Sequence, residues 1–160
     1  MPAYHLAQIN IGKIRGPIDG PIMAGFVAGL EPINALADAA PGFVWRLQTE
    51  AGNATSIHVY EDDMLLINMS VWESVEALHE FVYRTEHAAF LKNRLEWFER
   101  FEGVYTTMWW IPAGTIPTPL EAKERLEHLE RHGPTPYAFT FKTRFPMPET
   151  ASERTTRQTP

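Results

Sequence analysis

Apolar and polar side chains alternate along four segments of the chain, and this period of two predicts β-strands. The four segments are residues 4–11, 43–48, 64–72 and 105–111. Residues 57–60 also suit an extended backbone, either as a continuation of the second strand or as a short strand of their own. The pattern therefore predicts one sheet of four principal strands.

Two segments instead carry apolar residues at steps of three and four, the spacing of an amphipathic helix. The first covers about residues 22–39, and Pro32 within it is expected to kink or split the helix. The second begins after Ser74, a good N-cap residue, and is predicted to run as one long helix to about residue 101. The order β-α-β-β-α-β predicts an α+β chain with a ferredoxin-like antiparallel sheet.

The C-terminal part adds elements to this arrangement. Thr118 and Pro119 suit the N-cap and first turn of a helix that Gly133 ends, and residues 137–141 alternate as a last strand would. From residue 146 onward almost every side chain is polar or proline, so a disordered tail is expected. We therefore expect a single domain over residues 1–145 and a tail over residues 146–160.

Composition narrows the classes of function. The 160 residues carry a formal net charge of −6, which disfavours a nucleic-acid partner because phosphate contacts need clustered Lys and Arg. The chain has no cysteine, so disulfides, thiolate nucleophiles and cysteine-bound metals are excluded. No signal peptide or membrane-spanning segment is visible in the sequence, and a cytoplasmic location without a membrane partner is expected.

The stretches HLAQINIG, PGFVWRLQTEAGNAT, SVWESVEALHEFVYRTEHAAFLKNRLEWFER, MWWIPAG and RLEHLERHGPTPYAFTF resemble the DUF3291 family over about residues 4–142. That family is similar to the dimeric α/β-barrel superfamily, which includes the antibiotic biosynthesis monooxygenases. Trp72, Ser74 and His87 look like the W-x-S…H pattern of those enzymes. The resemblance implies a homodimer in which the sheets of two subunits close a barrel, with a pocket in each subunit between sheet and helices. Fold alone selects no reaction.

Alternation divides the predicted strands between two faces. One face takes Ala7, Ile9, Ile11, Phe43, Trp45, Leu47, Leu65, Ile67, Met69, Val71, Tyr105, Thr107, Trp109 and Ile111. The other takes Leu6, Gln8, Asn10, Val44, Arg46, Gln48, Met64, Leu66, Asn68, Ser70, Trp72, Met108 and Trp110. The polar members of the second face recur on three strands. They suit a solvated face, a dimer interface or the lining of a ligand pocket, and the sequence leaves all three open.

Along the second helical segment, Tyr83, His87 and Arg94 follow at steps that place them on one face. His87 suits a general acid or base, or a structural histidine bonded to its neighbours. Arg94 is suited either to binding a ligand or to forming an ion pair with a nearby Glu. Arg46, among apolar neighbours, has to snorkel to solvent, form an ion pair or bind an anion.

Metal and haem sites find little support in the sequence. The six histidines are scattered without a recognisable ligand spacing, so no metal site is predicted. In the haem-degrading relatives of the superfamily the iron-binding histidine stands about one helical turn beyond the position of His87, where this chain has Leu91. Haem bound through His87 alone stays as a third alternative, because one axial ligand is enough.

The leading hypothesis is a small enzyme that resembles cofactor-independent monooxygenases and acts on a hydrophobic aromatic or polyketide-like metabolite. The proposed catalytic residues are His87 for proton transfer and Arg46 and Asn68 for an oxyanion. The proposed substrate-binding residues are Asn10, Trp72, Tyr83, Arg94 and Trp110. The alternatives are a dimeric ligand-binding protein without catalysis and a haem protein.

Overall fold

The computed structural model describes residues 3–48, 64–100 and 103–148. The short strand expected at residues 57–60 lies outside the described residues. The same holds for residues 149–160 of the expected tail. Residues 146–148 are described and form no regular structure.

The sheet has four antiparallel strands. They are β1 (Tyr4–Lys13), β2 (Phe43–Arg46), β3 (Leu65–Trp72) and β4 (Thr106–Pro112), and their spatial order is β2-β3-β1-β4. The central pair β1 and β3 is in continuous register, with Gln8 opposite Ser70 and Asn10 opposite Asn68. This order is that of a ferredoxin-like sheet, as predicted, and the strand ends differ from the prediction by two residues at most.

The helices follow the prediction less closely. They are α1 (Ala24–Asp38), α2 (Val75–Arg84), α3 (Glu86–Lys92), α4 (Arg94–Trp97) and α5 (Pro119–His132). Pro32 does not split α1, since a proline removes only one helical hydrogen bond and the turns on both sides continue. The single long helix predicted after Ser74 is wrong: the chain there forms α2, α3 and α4 in succession.

α5 lies on the sheet face opposite the first four helices. Its Ala122 and Leu126 are buried in one cluster with Ile9, Met69 and Trp109. The sequence left open which face of the sheet would meet a second subunit, and here a helix of the same chain covers part of this one. Thr118 caps α5 by accepting the Glu121 N–H, and Pro119 occupies its first turn, as predicted.

Two local expectations need correction. Phe43 shares its face with Trp72, not with Trp45, because a β-bulge at Val44 shifts the register of β2 against β3. The last strand predicted at residues 137–141 is reduced to a single bridge, in which Phe139 and Met108 exchange both backbone hydrogen bonds. Just before this bridge the chain makes a turn in which Thr135 pairs with Ala138, so the residues of the turn do not pair with β4.

Candidate functional site

The face of the sheet that carries both polar and apolar residues, with Gln8 and Asn68 among them, is called the mixed face. A cavity of about 280 Å³ lies between it and the helices α1 to α4. Seven of the eight residues proposed from the sequence line it: Asn10, Arg46, Asn68, Trp72, Tyr83, His87 and Arg94. The mixed face is therefore mostly the wall of a pocket. Gln8 and Ser70 on that face are almost fully buried, so it is not an ordinary solvated surface.

Four side chains of β1 and β3 form a polar floor, which we define as Gln8, Asn10, Asn68 and Ser70. The Gln8 amide donates to Asn68 Oδ1 at 2.9 Å and to Ser70 Oγ at 2.8 Å. The Asn10 amide donates to Asn68 Oδ1 at 3.2 Å and weakly to Gln8 Oε1 at 3.4 Å. These bonds follow from the register, since each strand places two of the residues directly opposite the other two.

Hydrogen-bond capacity shows what the polar floor offers to a ligand. Ser70 Oγ accepts from Gln8 and also from the indole N–H of Trp72 at 2.8 Å, and an indole nitrogen can only donate. Both acceptor positions of the Ser70 hydroxyl are thus used. Asn68 Oδ1 likewise accepts two bonds, which leaves its amide hydrogens outside the network. The groups of Ser70 and Asn68 that the floor does not use are donors, and donors suit a carbonyl oxygen or an oxyanion.

His87 stands on the helical wall and is held through one nitrogen. Its Nδ1 lies 3.2 Å from the carbonyl oxygen of Val82, and a carbonyl can only accept, so Nδ1 carries the hydrogen. Nε2 is then the unprotonated nitrogen of the neutral ring. Burial lowers the pKa of His87 below its usual 6.5, and the bond to Val82 opposes this with a smaller effect. The geometry thus keeps a neutral imidazole with a basic nitrogen at the cavity.

The break between α2 and α3 sets the position of His87. Thr85 is extended, with φ −120° and ψ −177°, and its hydroxyl donates to the carbonyl of Phe81 while accepting from the His87 N–H. The hydroxyl replaces helical bonds on both sides of the break, which is why the chain can leave the helix here. The imidazole packs against Phe81, with ring centroids 5.0 Å apart.

Arg46 lines the cavity but is engaged by a carboxylate. Its Nε and Nη2 donate to the two oxygens of Asp38 at 2.7 and 3.2 Å, a bidentate pair that joins β2 to the last residue of α1. The ion pair is the alternative that the sequence already offered for this residue. It occupies donors that an oxyanion would otherwise use.

Aromatic rings form the apolar walls. Trp72 stacks on Phe81 at 5.2 Å and meets Phe43 edge-on at 5.5 Å. Tyr83 is about half exposed and contacts Phe141. Trp110, the eighth proposed residue, is not among the described residues that line the cavity: its indole donates to the carbonyl of Phe145 at 2.9 Å, outside the cavity.

The sequence prediction gave no role to three residues that shape this site. Gln8 and Ser70 had been placed on the correct face, and pairing them across the strands by register would have identified the polar floor. Thr85 gave no signal, because a threonine inside an apolar helical repeat does not by itself indicate a break.

The described residues contain no group of three or more His, Asp or Glu side chains that would hold a metal ion. Within the same residues, no helix has the length and apolar character needed to cross a lipid bilayer.

Comparisons with known proteins identify a family. The sequence profile of a domain of unknown function, DUF3291, matches residues 5–156. No curated protein matches the chain.

Several solved structures have a similar fold. Rv0793 from Mycobacterium tuberculosis is 14% identical, with a TM-score of 0.48 over 71% of this chain and 99% of that one. A variant of SnoaB, a cofactor-independent oxygenase from Streptomyces nogalater, is 14% identical, with a TM-score of 0.46 over 71% and 98%. NE2512, a protein of unknown function from Nitrosomonas europaea, is 13% identical, with a TM-score of 0.43 over 73% and 96%. At these identities no residue role transfers from one protein to the other.

Proposed function

The chain belongs to the DUF3291 family, and we propose that it is a small oxygenase that uses no cofactor and acts on a hydrophobic aromatic or polyketide-like molecule. One observation carries the proposal: a neutral His87, fixed by Val82 so that Nε2 is basic, lines the same cavity as a floor of hydrogen-bond donors. A base and an oxyanion site on one cavity are the groups needed to make and hold a substrate carbanion.

The chemistry follows from these two groups. His87 Nε2 takes a proton from an acidic methylene carbon beside a carbonyl, and the charge moves to the carbonyl oxygen. Asn68 and Ser70 donate hydrogen bonds to that oxygen, with Asn10 beside them. The carbanion then gives its electrons to molecular oxygen and forms a carbon–oxygen bond. The resulting peroxide takes up the proton, loses water and leaves a ketone, so that CH₂ and O₂ become C=O and H₂O.

The cavity limits the size of the substrate. A volume of about 280 Å³ lies at the lower end of the ~300–1,000 Å³ usual for ligand pockets. The aromatic walls around Trp72 and Phe81 suit a flat ring. A molecule of one or two rings fits this description better than an extended polycycle.

The ion pair of Arg46 favours a second candidate function. Because Asp38 engages two donors of the guanidinium, the oxyanion site depends on the polar floor more than the sequence suggested. A homodimeric protein of the cytoplasm that binds an aromatic ligand without transforming it would need only the walls and this floor. A haem protein is the third candidate, in which His87 Nε2 would hold the iron, but a cavity of about 280 Å³ that suits one or two rings fits a tetrapyrrole poorly.

Oxygen uptake distinguishes the candidates. With aromatic ketones that bear an acidic methylene group, we expect wild type to consume one O₂ per ketone formed. His87→Gln should lower kcat by about 10²–10⁴-fold, as expected for loss of a general base. His132→Gln, which alters an exposed histidine of α5, is the control and should leave kcat unchanged.

Equal rates in the two variants would reject His87 as the base. Binding of the ketones without oxygen uptake would favour the ligand-binding protein. A shifted Soret band after addition of haemin, lost in His87→Gln, would favour the haem protein.

A further inference from the structure

The charges around the cavity are opposite to those of the whole protein. The chain has 20 Asp and Glu residues against 14 Lys and Arg. Among the described residues that line the cavity, however, there is no Asp, Glu or Lys, and the permanent charges belong to Arg46 and Arg94. An apolar cavity lined by arginines attracts an anion.

The two arginines differ in their partners. Arg46 is neutralised by the two carboxylate oxygens of Asp38. Arg125 of α5, away from the cavity, is paired with Glu121 at 3.2 Å. For Arg94 the contacts within the described part of the chain are aromatic: its guanidinium carbon lies 4.4 Å from the ring centroid of Tyr105 and 5.9 Å from that of Phe98. Its charge is therefore not balanced by a carboxylate among these residues.

The aromatic neighbours of Arg94 decide what its guanidinium can bind. A guanidinium that contacts aromatic rings, and no carboxylate among the described residues, keeps its planar fork of N–H groups for a ligand, and this fork matches the two oxygens of a carboxylate. The aromatic rings beside it do not compete for those hydrogens as an acceptor oxygen would. The Arg94 side chain is also partly buried, which reduces screening by solvent.

Arg94 and His87 stand in different parts of the cavity. Arg94 contacts Tyr105, whose carbonyl accepts the Ile11 N–H beside Asn10. His87 packs on Phe81, which in turn stacks on Trp72. A ligand bound by both would carry its negative group at one end and its reactive carbon at the other.

We propose that the cavity takes an aromatic carboxylate, whose carboxylate group binds to the Arg94 guanidinium beside Tyr105 while its ring extends from there into the apolar part of the cavity. This inference rests on the proposed function, because it treats the cavity as the place where a substrate binds. It assigns the chemical class of the substrate and makes Arg94 the residue that selects it.

Matched probes test the charge directly. By isothermal titration calorimetry, 2-naphthoate and its neutral isostere 2-naphthamide, and the smaller pair benzoate and benzamide, are titrated into wild type. We expect at least one of the two acids to bind about tenfold tighter than its amide or better, because the ionic hydrogen bonds exist only for the acid. High salt should weaken the binding of the acid and leave the binding of the amide unchanged.

Three variants then locate the effect. Arg94→Gln should abolish the difference between acid and amide while amide binding persists, which also shows that the cavity remains folded. Arg94→Lys should keep part of the preference, since the charge stays and the planar fork is lost. Arg84→Gln removes the same charge at an exposed position of α2 and should keep the full preference.

Failure of this inference is distinct from failure of the proposed function. If neither acid binds better than its amide, or if Arg94→Gln keeps the preference, the carboxylate site is rejected, whatever the oxygen uptake shows. If the preference depends on Arg94 but no aromatic acid with an acidic methylene group supports oxygen uptake, the binding site stands and the oxygenase is rejected.

Discussion

At the scale of single residues, the Ser70 hydroxyl connects the wall of the cavity to its floor. It accepts hydrogen bonds from the Trp72 indole and from the Gln8 amide, and Trp72 is 1% exposed. A buried donor that loses its acceptor keeps the full penalty of having left water. Ser70 is therefore expected to matter for stability as well as for ligand binding.

We predict that Ser70→Ala lowers the free energy of unfolding by about 2 kcal/mol or more, because two buried donors lose their acceptor. Urea denaturation measures the change. Ser74→Ala is the comparison: it removes one half-buried bond, from the Ala77 N–H, and should lower the same quantity by only about 1 kcal/mol. A smaller loss in Ser70→Ala than in Ser74→Ala would contradict the bonding assigned to the floor.

The half-buried imidazole of His87, whose pKa burial lowers, predicts a dependence of stability on pH. Burial lowers its pKa in the folded protein, so below the unfolded pKa of 6.5 the unfolded chain binds a proton at this residue more readily than the folded chain does. Acidification from about pH 7.5 to about pH 5 should therefore lower the Tm of wild type more than the Tm of His87→Gln. His128, whose pKa is also lowered, is present in both proteins and cancels from the comparison. Parallel decreases in the two proteins would remove His87 as a cause.

The lowered pKa of His87 also predicts how the catalytic rate depends on pH. If His87 is the base, only its neutral form accepts a proton, and the rate should fall on acidification with an apparent pKa below 6.5. The rate should be nearly constant above neutral pH.

At the scale of elements, the turn between α1 and β2 fixes how closely the sheet approaches α2. Gly42 has φ +81°, and its carbonyl accepts the Glu73 N–H at 2.7 Å. A Cβ at this position would lie 2.6 Å from Cβ of Ala77. Glycine is required here both for the left-handed backbone and for the close contact.

We predict that Gly42→Ala lowers the free energy of unfolding by clearly more than the roughly 1 kcal/mol expected from the backbone alone. Gly114→Ala separates the two causes, because Gly114 has φ +90° and a Cβ added there would meet no atom within 4 Å. Thermal or chemical denaturation of both variants gives the difference. Equal losses would show that the contact with Ala77 relaxes at little cost.

The sequence predicted the elements that repeat a simple period and missed those set by single polar contacts. The two faces follow from alternation along β1 and β3, and the strand order follows from the β-α-β-β-α-β succession of elements. The break at Thr85 depends on one hydroxyl that bonds both ways, and the bulge at Val44 on the local pairing of β2. Such contacts appear only once neighbouring segments are in place.

The residues of the candidate site were likewise predicted only in part from the sequence. Alternation along the strands placed Asn10, Arg46, Asn68 and Trp72 on the face that lines the cavity, but it also assigned Trp110 there. Tyr83, His87 and Arg94 line the cavity as well, although they lie on three successive helices and not on one face of a single helix. The carbonyl of Phe145, 35 residues further along the chain, binds the Trp110 indole instead. The Arg46–Asp38 pair was one of several alternatives, because the strand pattern does not say where the end of α1 lies.

At the scale of the whole molecule, the lining of the cavity comes from one chain. All four strands and the helices α1 to α4 supply most of the lining, and α5, which covers part of the other face of the sheet, contributes no described residue to it. We expect that the proposed homodimer is not needed to complete the site. A partner sheet could close a barrel against this chain only where α5 leaves the apolar face accessible.

We therefore predict that binding of 2-naphthoate per chain is independent of protein concentration. Analytical ultracentrifugation gives the oligomeric state at each concentration, and calorimetry gives the Kd of the probe at the same concentrations. Dilution that dissociates a dimer should leave this Kd unchanged. A loss of affinity that follows the dissociation would show that the partner supplies part of the site.

The contact between Trp72 and the polar floor has a practical consequence. Trp72, whose N–H is bound to Ser70, and Trp97 both border the cavity, so part of the emission of the five tryptophans changes when a ligand enters. Cell extracts could be fractionated and screened for the natural ligand by following this emission, with no label attached and no reaction assumed beforehand.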